Sequence, residues 1–229
     1  MKASDWFEYE GITIRQVGQD GAYTYRTTHV ALDADGSPRA YRPDGNGLDA
    51  NANAGYPNKG WRSVLATDPD DRTKPYIQTD GPFAGCFVSK TSLRDSEKPD
   101  TDISAYVNAE NVPYIVFPGA FYAIRGTGKF GDLVMARRVG DERSVAAIVA
   151  DGGPTKAPLG EISLALATAF GAQNPNPRTG ENGPAGMFEY VVFPGSLSEP
   201  AWPRDPEDID THARDLLEAI GGWPSVDDG

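Results

Sequence analysis

Apolar and polar residues alternate over 12–17 (ITIRQV) and again over 24–32 (TYRTTHVAL), and a period of two predicts strands. The Gly-Gln-Asp-Gly stretch between them predicts a turn, so the two runs should open the fold as a β-hairpin. From 36 to 80 the periodicity fades and Pro, Gly, Asp and Asn dominate, which predicts long ordered loops carrying short strands. Strand patterns return at 85–89, 114–117, 133–139 and 144–150, each bounded by turn residues, and these should form the central sheet. The last two flank Gly140 and Asp141 and predict a second hairpin. The run MFEYVVFPG, 187–195, predicts the final strand. Two helices are expected. One is short and apolar on nearly every side, beginning about Glu161 and stopping at Gly171. The other has Asp205 as N-cap, Pro206 in its first turn and a stripe of Ile209, Ala213, Leu216, Leu217 and Ile220 before Gly221.

Composition narrows the class. With 229 residues, 39% of them apolar, the chain can bury one good core. We therefore expect one main domain over 1–200, with a helical appendage over 201–229 packed on it. The 26 glycines and 19 prolines argue against a helical bundle. The expected fold is mainly β: a single-domain β-barrel with one or two packed α-helices. A double-psi barrel is the form suggested by analogy, since strand, Asp-Gly loop, Gly and short helix occur together in such barrels.

A formal charge of −12 repels nucleic acid and attracts cations. The single cysteine, Cys86, excludes an internal disulfide, and two histidines exclude a histidine-rich metal site. No cofactor or metal is expected. Asp33-Ala-Asp35-Gly36 resembles the start of a calcium loop, but the later ligands and terminal Glu are missing at the required spacing. No apolar run is long enough for a membrane span, and MKASDWFEYEG lacks the apolar core of a signal peptide. Ordinary secretion is therefore not legible in the chain.

The most informative segment is SVAAIVADGGPTKAPLGEISLALATAF, 144–170. A buried strand delivers Asp151 into a Gly-Gly-Pro loop, which returns ten residues later at Glu161. Pro154 and Pro158 restrict the loop, while Gly152, Gly153 and Gly160 let its backbone approach a ligand. Two carboxylates across one cleft suit the acid and base roles of glycosidic bond cleavage. Taken alone, the spacing also fits a turn residue and a helix-favouring glutamate.

The same segment resembles the catalytic core of the fungal-type chitosanases, glycoside hydrolase family 75, in which an aspartate follows an apolar strand, then Gly-Pro, then Gly-Glu before a small-residue helix. Further elements agree in order: VALDADG at 30–36, FVSKTSL at 87–93, YVNAENVPYIVFPG at 106–119 and GDLVMA at 131–136. The likeness covers roughly 24–171. It implies endo-hydrolysis of β-1,4 bonds in chitosan or a related amino-sugar polysaccharide with inversion, Asp151 and Glu161 being the essential acids. It leans toward Glu161 as general acid, although a helix N-terminus would lower that residue's pKa. It also implies an extracellular enzyme, with a cytoplasmic place or a leaderless export route as the alternatives where no signal peptide is legible; a monomer is expected. A leaderless relative acting on peptidoglycan glycan strands as an exported antibacterial effector, and a polysaccharide-binding module without catalysis, are the alternatives.

Asp33, Asp35 and Asp132 are candidates to hold substrate ammonium groups through charge-assisted hydrogen bonds, with Lys90 and Thr91 as further substrate-binding candidates. Trp61, Tyr41, Tyr56 and Tyr122 are candidates to stack on sugar rings. Inversion further requires the two carboxyl groups to lie about 6.5 to 9.5 Å apart.

Overall fold

The computed structural model describes residues 2–19, 21–58 and 60–225. Asp20 of the expected first turn and residues 226–229 of the expected appendage lie outside the described residues. Nine strands form one mixed sheet: β1 Ala3–Tyr9, β2 Ile12–Val17, β3 Ala22–Thr27, β4 Ala31–Asp33, β5 Tyr114–Pro118, β6 Leu133–Arg138, β7 Ser144–Gly153, β8 Glu161–Ser163 and β9 Phe188–Phe193. Their order is β1-β2-β3-β9-β6-β7-β5-β8-β4. The fold is mainly β, as expected, but no strand pairing joins β1 to β4 among the described residues, so the sheet is open where a closed barrel was expected.

Both expected hairpins form. β2 and β3 pair antiparallel with Val17 opposite Ala22, and β6 and β7 pair with Arg137 opposite Ser144. The run at 24–32 is not one strand but two. It breaks after Thr27, whose hydroxyl accepts the His29 N–H, and resumes as β4 against β8 at the far edge of the sheet. β9 is the last strand in sequence and central in space, between β3 and β6. β1 escaped the alternation pattern because a register shift between Asp5 and Phe7 breaks its period. The expected strand at 85–89 is an extended segment cross-linked by isolated bridges at Phe87 and Ser89.

Three helices accompany the sheet: α1 Gly119–Tyr122, α2 Leu164–Ala169 and α3 Pro206–Ala219. α2 begins three residues later than the pattern suggests. Ser163, still extended, caps it by accepting the Leu166 N–H, so Glu161 lies on β8 and not at a helix N-terminus. α3 starts as expected, with the Asp205 side chain accepting the Glu207 N–H and Pro206 in the first turn. Its Ile209, Ala213, Leu217 and Ile220 are buried with Met135 and Ile148 of the sheet. The opposite face of the sheet carries a larger cluster that includes Phe117, Phe121, Tyr190 and Ile162. Burying each such side chain contributes roughly 1.5–3 kcal/mol.

Glu189 in β9 is fully buried and held by two arginines: Arg26 Nε donates to Oε1 at 3.1 Å and Arg137 Nε to Oε2 at 2.8 Å. The Arg137 guanidinium also lies over the Trp223 ring, 4.1 Å from its centroid. Glu189→Gln leaves two guanidinium groups facing a neutral amide. A loss of about 3–5 kcal/mol in denaturant unfolding is the expected result, and an unchanged unfolding midpoint would show that the pair carries no such weight.

Candidate active site

The acids of the catalytic-looking segment reach one face of the sheet through local backbone geometry. On β7, Val149 pairs with Ile115 but Asp151, not Ala150, pairs with Val116. The extra residue is a β-bulge, a device that re-aims a side chain. It moves Asp151 onto the face of Val116. On β8, Ile162 pairs with Ile115 and points into the core, so Glu161, one residue earlier, takes the other face. Asp33 pairs with Ser163 and shares that face. Asp33, Asp35, Asp151 and Glu161, with Val116, therefore line one cavity of about 550 Å³. Asn53, Gly55, Ser63 and Gly152 to Pro154 complete much of its wall. Because β5 lies between β7 and β8, the backbones at Asp151 and Glu161 are separated by two strand spacings, roughly 9.5 Å.

The surroundings of the four acids differ. Asp151 Oδ1 accepts three hydrogen bonds: from Ser92 N–H at 2.9 Å, Ser92 Oγ at 2.6 Å and Gly152 N–H at 2.7 Å. Asp35 Oδ1 accepts from Tyr41 Oη at 2.8 Å and Ser89 Oγ at 3.0 Å. Asp33 Oδ1 accepts the Asp35 N–H at 2.8 Å. Among the described residues nothing donates to the Glu161 carboxyl. Gly153 faces it so closely that a Cβ there would stand 2.9 Å from Oε2, so any larger residue would crowd the carboxyl out of place.

No lysine, arginine or histidine is found among the described residues lining the cavity. Burial raises the pKa of every acid in it. For Asp33 the neighbouring Asp35, Glu161 and Asp151 add to the effect of burial, and for Asp35 the largest added effect comes from Asp151. Asp151 is raised by burial against the opposing pull of Ser92, Gly152 and the Lys90 charge. Glu161 is pushed up to about 7, by burial first and then by Asp151 and Asp49. The dipole effect expected of a helix N-terminus does not apply, since Glu161 is on a strand.

One oxygen each of Asp33, Asp35 and Asp151 lies within 4.8 Å of the others. Such a cluster attracts cations, an ammonium group included. Three carboxylate oxygens supply part of a calcium shell, which takes about six to eight.

Several sequence candidates have other tasks. Asp132 is fully buried and away from the cavity, its oxygens accepting the Lys129 and Leu197 N–H groups; it ties two loops together. Thr91 is buried as a brace, donating to Leu93 O and accepting the Val107 N–H. The Lys90 ammonium donates to Arg62 O at 2.7 Å and acts on Asp151 only through its charge. None of the four candidate stacking aromatics lines the cavity. Trp61 and Tyr41 are buried, Tyr56 packs on Phe87, and Tyr122 stacks on Phe130 with centroids 4.3 Å apart.

Sequence reasoning missed Ser89, Ser92 and Asp49. Asp49 is buried, holds Asn53 Nδ2 at 2.8 Å and faces the Tyr41 hydroxyl at 3.3 Å. The two serines stand in the FVSKTSL run, but hydroxyl residues are common in strands and nothing local marks which one meets an acid. Compared with protein-family models and with curated proteins, the chain matches none of either.

Proposed function

We propose that the protein is an endo-acting, inverting glycoside hydrolase of the chitosanase type, cleaving β-1,4 bonds of chitosan or a related amino-sugar polysaccharide. The observation that carries this reading is the contrast between two acids in one cavity. Asp151 has an oxygen held by three donors, and Glu161 has a bare carboxyl whose pKa is pushed up to about 7. Environments that differ in this way are how one site holds both an acid and a base. Glu161 is the general acid: it keeps its proton near neutrality and gives it to the leaving glycosidic oxygen. Asp151 is the base, taking a proton from the water that attacks the anomeric carbon from the opposite face. The two acids come from strands on either side of β5, and inversion requires room for that water between their carboxyl groups.

The substrate class follows from charge. Four acids without a cationic partner among the described lining residues favour a polymer bearing ammonium groups over a neutral one. A monomeric state, an extracellular place of action and the status of 201–229 as an appendage belong to the same proposal. No helix among the described residues is long and apolar enough to cross a membrane.

Incubation with chitosan, chitin and peptidoglycan side by side tests the reading, with fragments identified by mass and their anomeric form followed by NMR. Chitosan fragments appearing first as the inverted anomer are expected. Retention would assign different roles to the acids, release from peptidoglycan alone would move the substrate, and affinity without product would leave a binding module. Where cleavage occurs, the rate should fall above about pH 7 as Glu161 loses its proton, and a rate still rising at pH 9 would remove Glu161 from the acid role.

A further inference from the structure

The two Asp-Gly steps of the cavity, Asp35-Gly36 and Asp151-Gly152, are held in the same way by one short segment. Ser92 Oγ donates to Asp151 Oδ1 at 2.6 Å and accepts the Gly152 N–H at 3.2 Å. Ser89 Oγ donates to Asp35 Oδ1 at 3.0 Å and accepts the Gly36 N–H at 3.2 Å. In each case the serine bridges a carboxylate and the amide of the next residue. The glycine N–H occupies a lone pair of the hydroxyl, which leaves the hydroxyl proton aimed at the carboxylate. The segment itself is fastened on both sides: Lys90 N–H donates to Val64 O, Leu93 N–H to Ala150 O, and Thr91 Oγ1 accepts from Val107 N–H.

We propose that Ser89 and Ser92 form a two-point clamp, a pair of positioning residues that fix one oxygen of Asp35 and one of Asp151 and leave the second oxygen of each for a ligand in the cavity. A hydroxyl donor of this kind stabilises the ionised carboxylate over the protonated one. Asp151 is thereby favoured as a proton acceptor against the burial that raises its pKa. Ser89 does the same for Asp35, which faces Asp151 across the cluster. The catalytic consequence rests on the hydrolase reading above, whereas the clamp itself does not.

The clamp is tested without substrate by following side-chain carboxyl ¹³C shifts against pH, with Asp151→Asn and Asp35→Asn assigning the signals. Ser92→Ala should raise the Asp151 midpoint and leave that of Asp35 nearly in place, and Ser89→Ala should do the reverse. Ser92→Thr, which keeps the hydroxyl, should restore the parent midpoint. Unmoved midpoints in both alanine variants, with thermal unfolding showing them folded, overturn the clamp. In the hydrolysis assay Ser92→Ala should lower kcat about tenfold or more with KM within about twofold, the pattern of an interaction made in the transition state. It should also move the acid limb of the pH profile upward. A parent protein inactive on every glycan would remove the hydrolase reading and leave the clamp to be judged by NMR. An active parent whose Ser92→Ala variant keeps both rate and midpoint would remove the clamp and leave the hydrolase.

Discussion

Glu161→Gln is expected to abolish hydrolysis and, at pH 8, to make the protein more stable than its parent. The first effect follows from the proposed role of Glu161 as proton donor, worth about 10²- to 10⁴-fold in rate. Asp151→Asn should act comparably, since an amide in that place cannot take the proton of water. The second effect follows from linkage. Glu161 has an ordinary pKa of 4.5 and is pushed up to about 7 in the folded protein, so between those values the folded state holds more protons than the unfolded one. Stability contributed by this carboxyl is therefore present at acid pH and lost as pH rises through that window. Asp33, Asp35 and Asp151, also raised, act in the same direction from a lower starting pH. The exposed acids whose pKa is lowered, such as Asp71 and Asp102, act below that window and do not mask it.

Replacing the carboxyl by an isosteric amide removes a buried charge that Glu161 carries at pH 8. A gain on the order of 2 kcal/mol follows. Thermal unfolding of both proteins at pH 5 and pH 8 is the measurement: the parent should lose midpoint between the two, and the variant should lose less. An active Glu161→Gln enzyme would end the proposed mechanism. An inactive variant with the parent's pH dependence would mean that the carboxyl is not held in the desolvated state described above.

The second large effect is expected at Gly160. Its φ of +123° is open to glycine and strained for any other residue. An added Cβ would also stand 2.1 Å from the His29 carbonyl oxygen, and both obstacles are backbone. The contact is close because Gly160 O accepts the Ala31 N–H at 3.2 Å and Ala31 pairs with Glu161, which seats β8 against β4. Gly160→Ala should therefore cost about 3 kcal/mol or more, lowering the thermal midpoint by about 6 to 12 °C. It should also displace Glu161 and so lower activity in the fraction that folds. A variant within 2 °C of the parent would show that β4 and β8 can separate without penalty.

Part of this architecture is open to inspection in the sequence. The hairpins around 18–21 and 140–143 and the face of α3 are local patterns, set by alternation, turn residues and an N-cap a few positions apart. Asp151 and Glu161 stand out because two prolines and three glycines frame them within a single loop. β1 was hidden because its bulge breaks the alternation, and the start of α2 because Ser163 caps the helix from inside an apolar run. That Asp132 and Thr91 brace loops outside the cavity lining is not legible locally, because a polar side chain at a strand end looks the same whether it serves a ligand or a loop.

By itself the sequence determined that the protein is mainly β, strongly acidic and unsuited to histidine or cysteine metal sites, and that two acids border one constrained loop. Only the tertiary structure decided that the sheet stays open, that Asp33 and Asp35 join those acids, and that the serines grip two of the four. The physical reason is that these facts depend on non-neighbouring strands: a bulge turns Asp151 toward Val116, parallel pairing of β4 with β8 carries Asp33 across the chain, and the burial that results raises the pKa of all four acids.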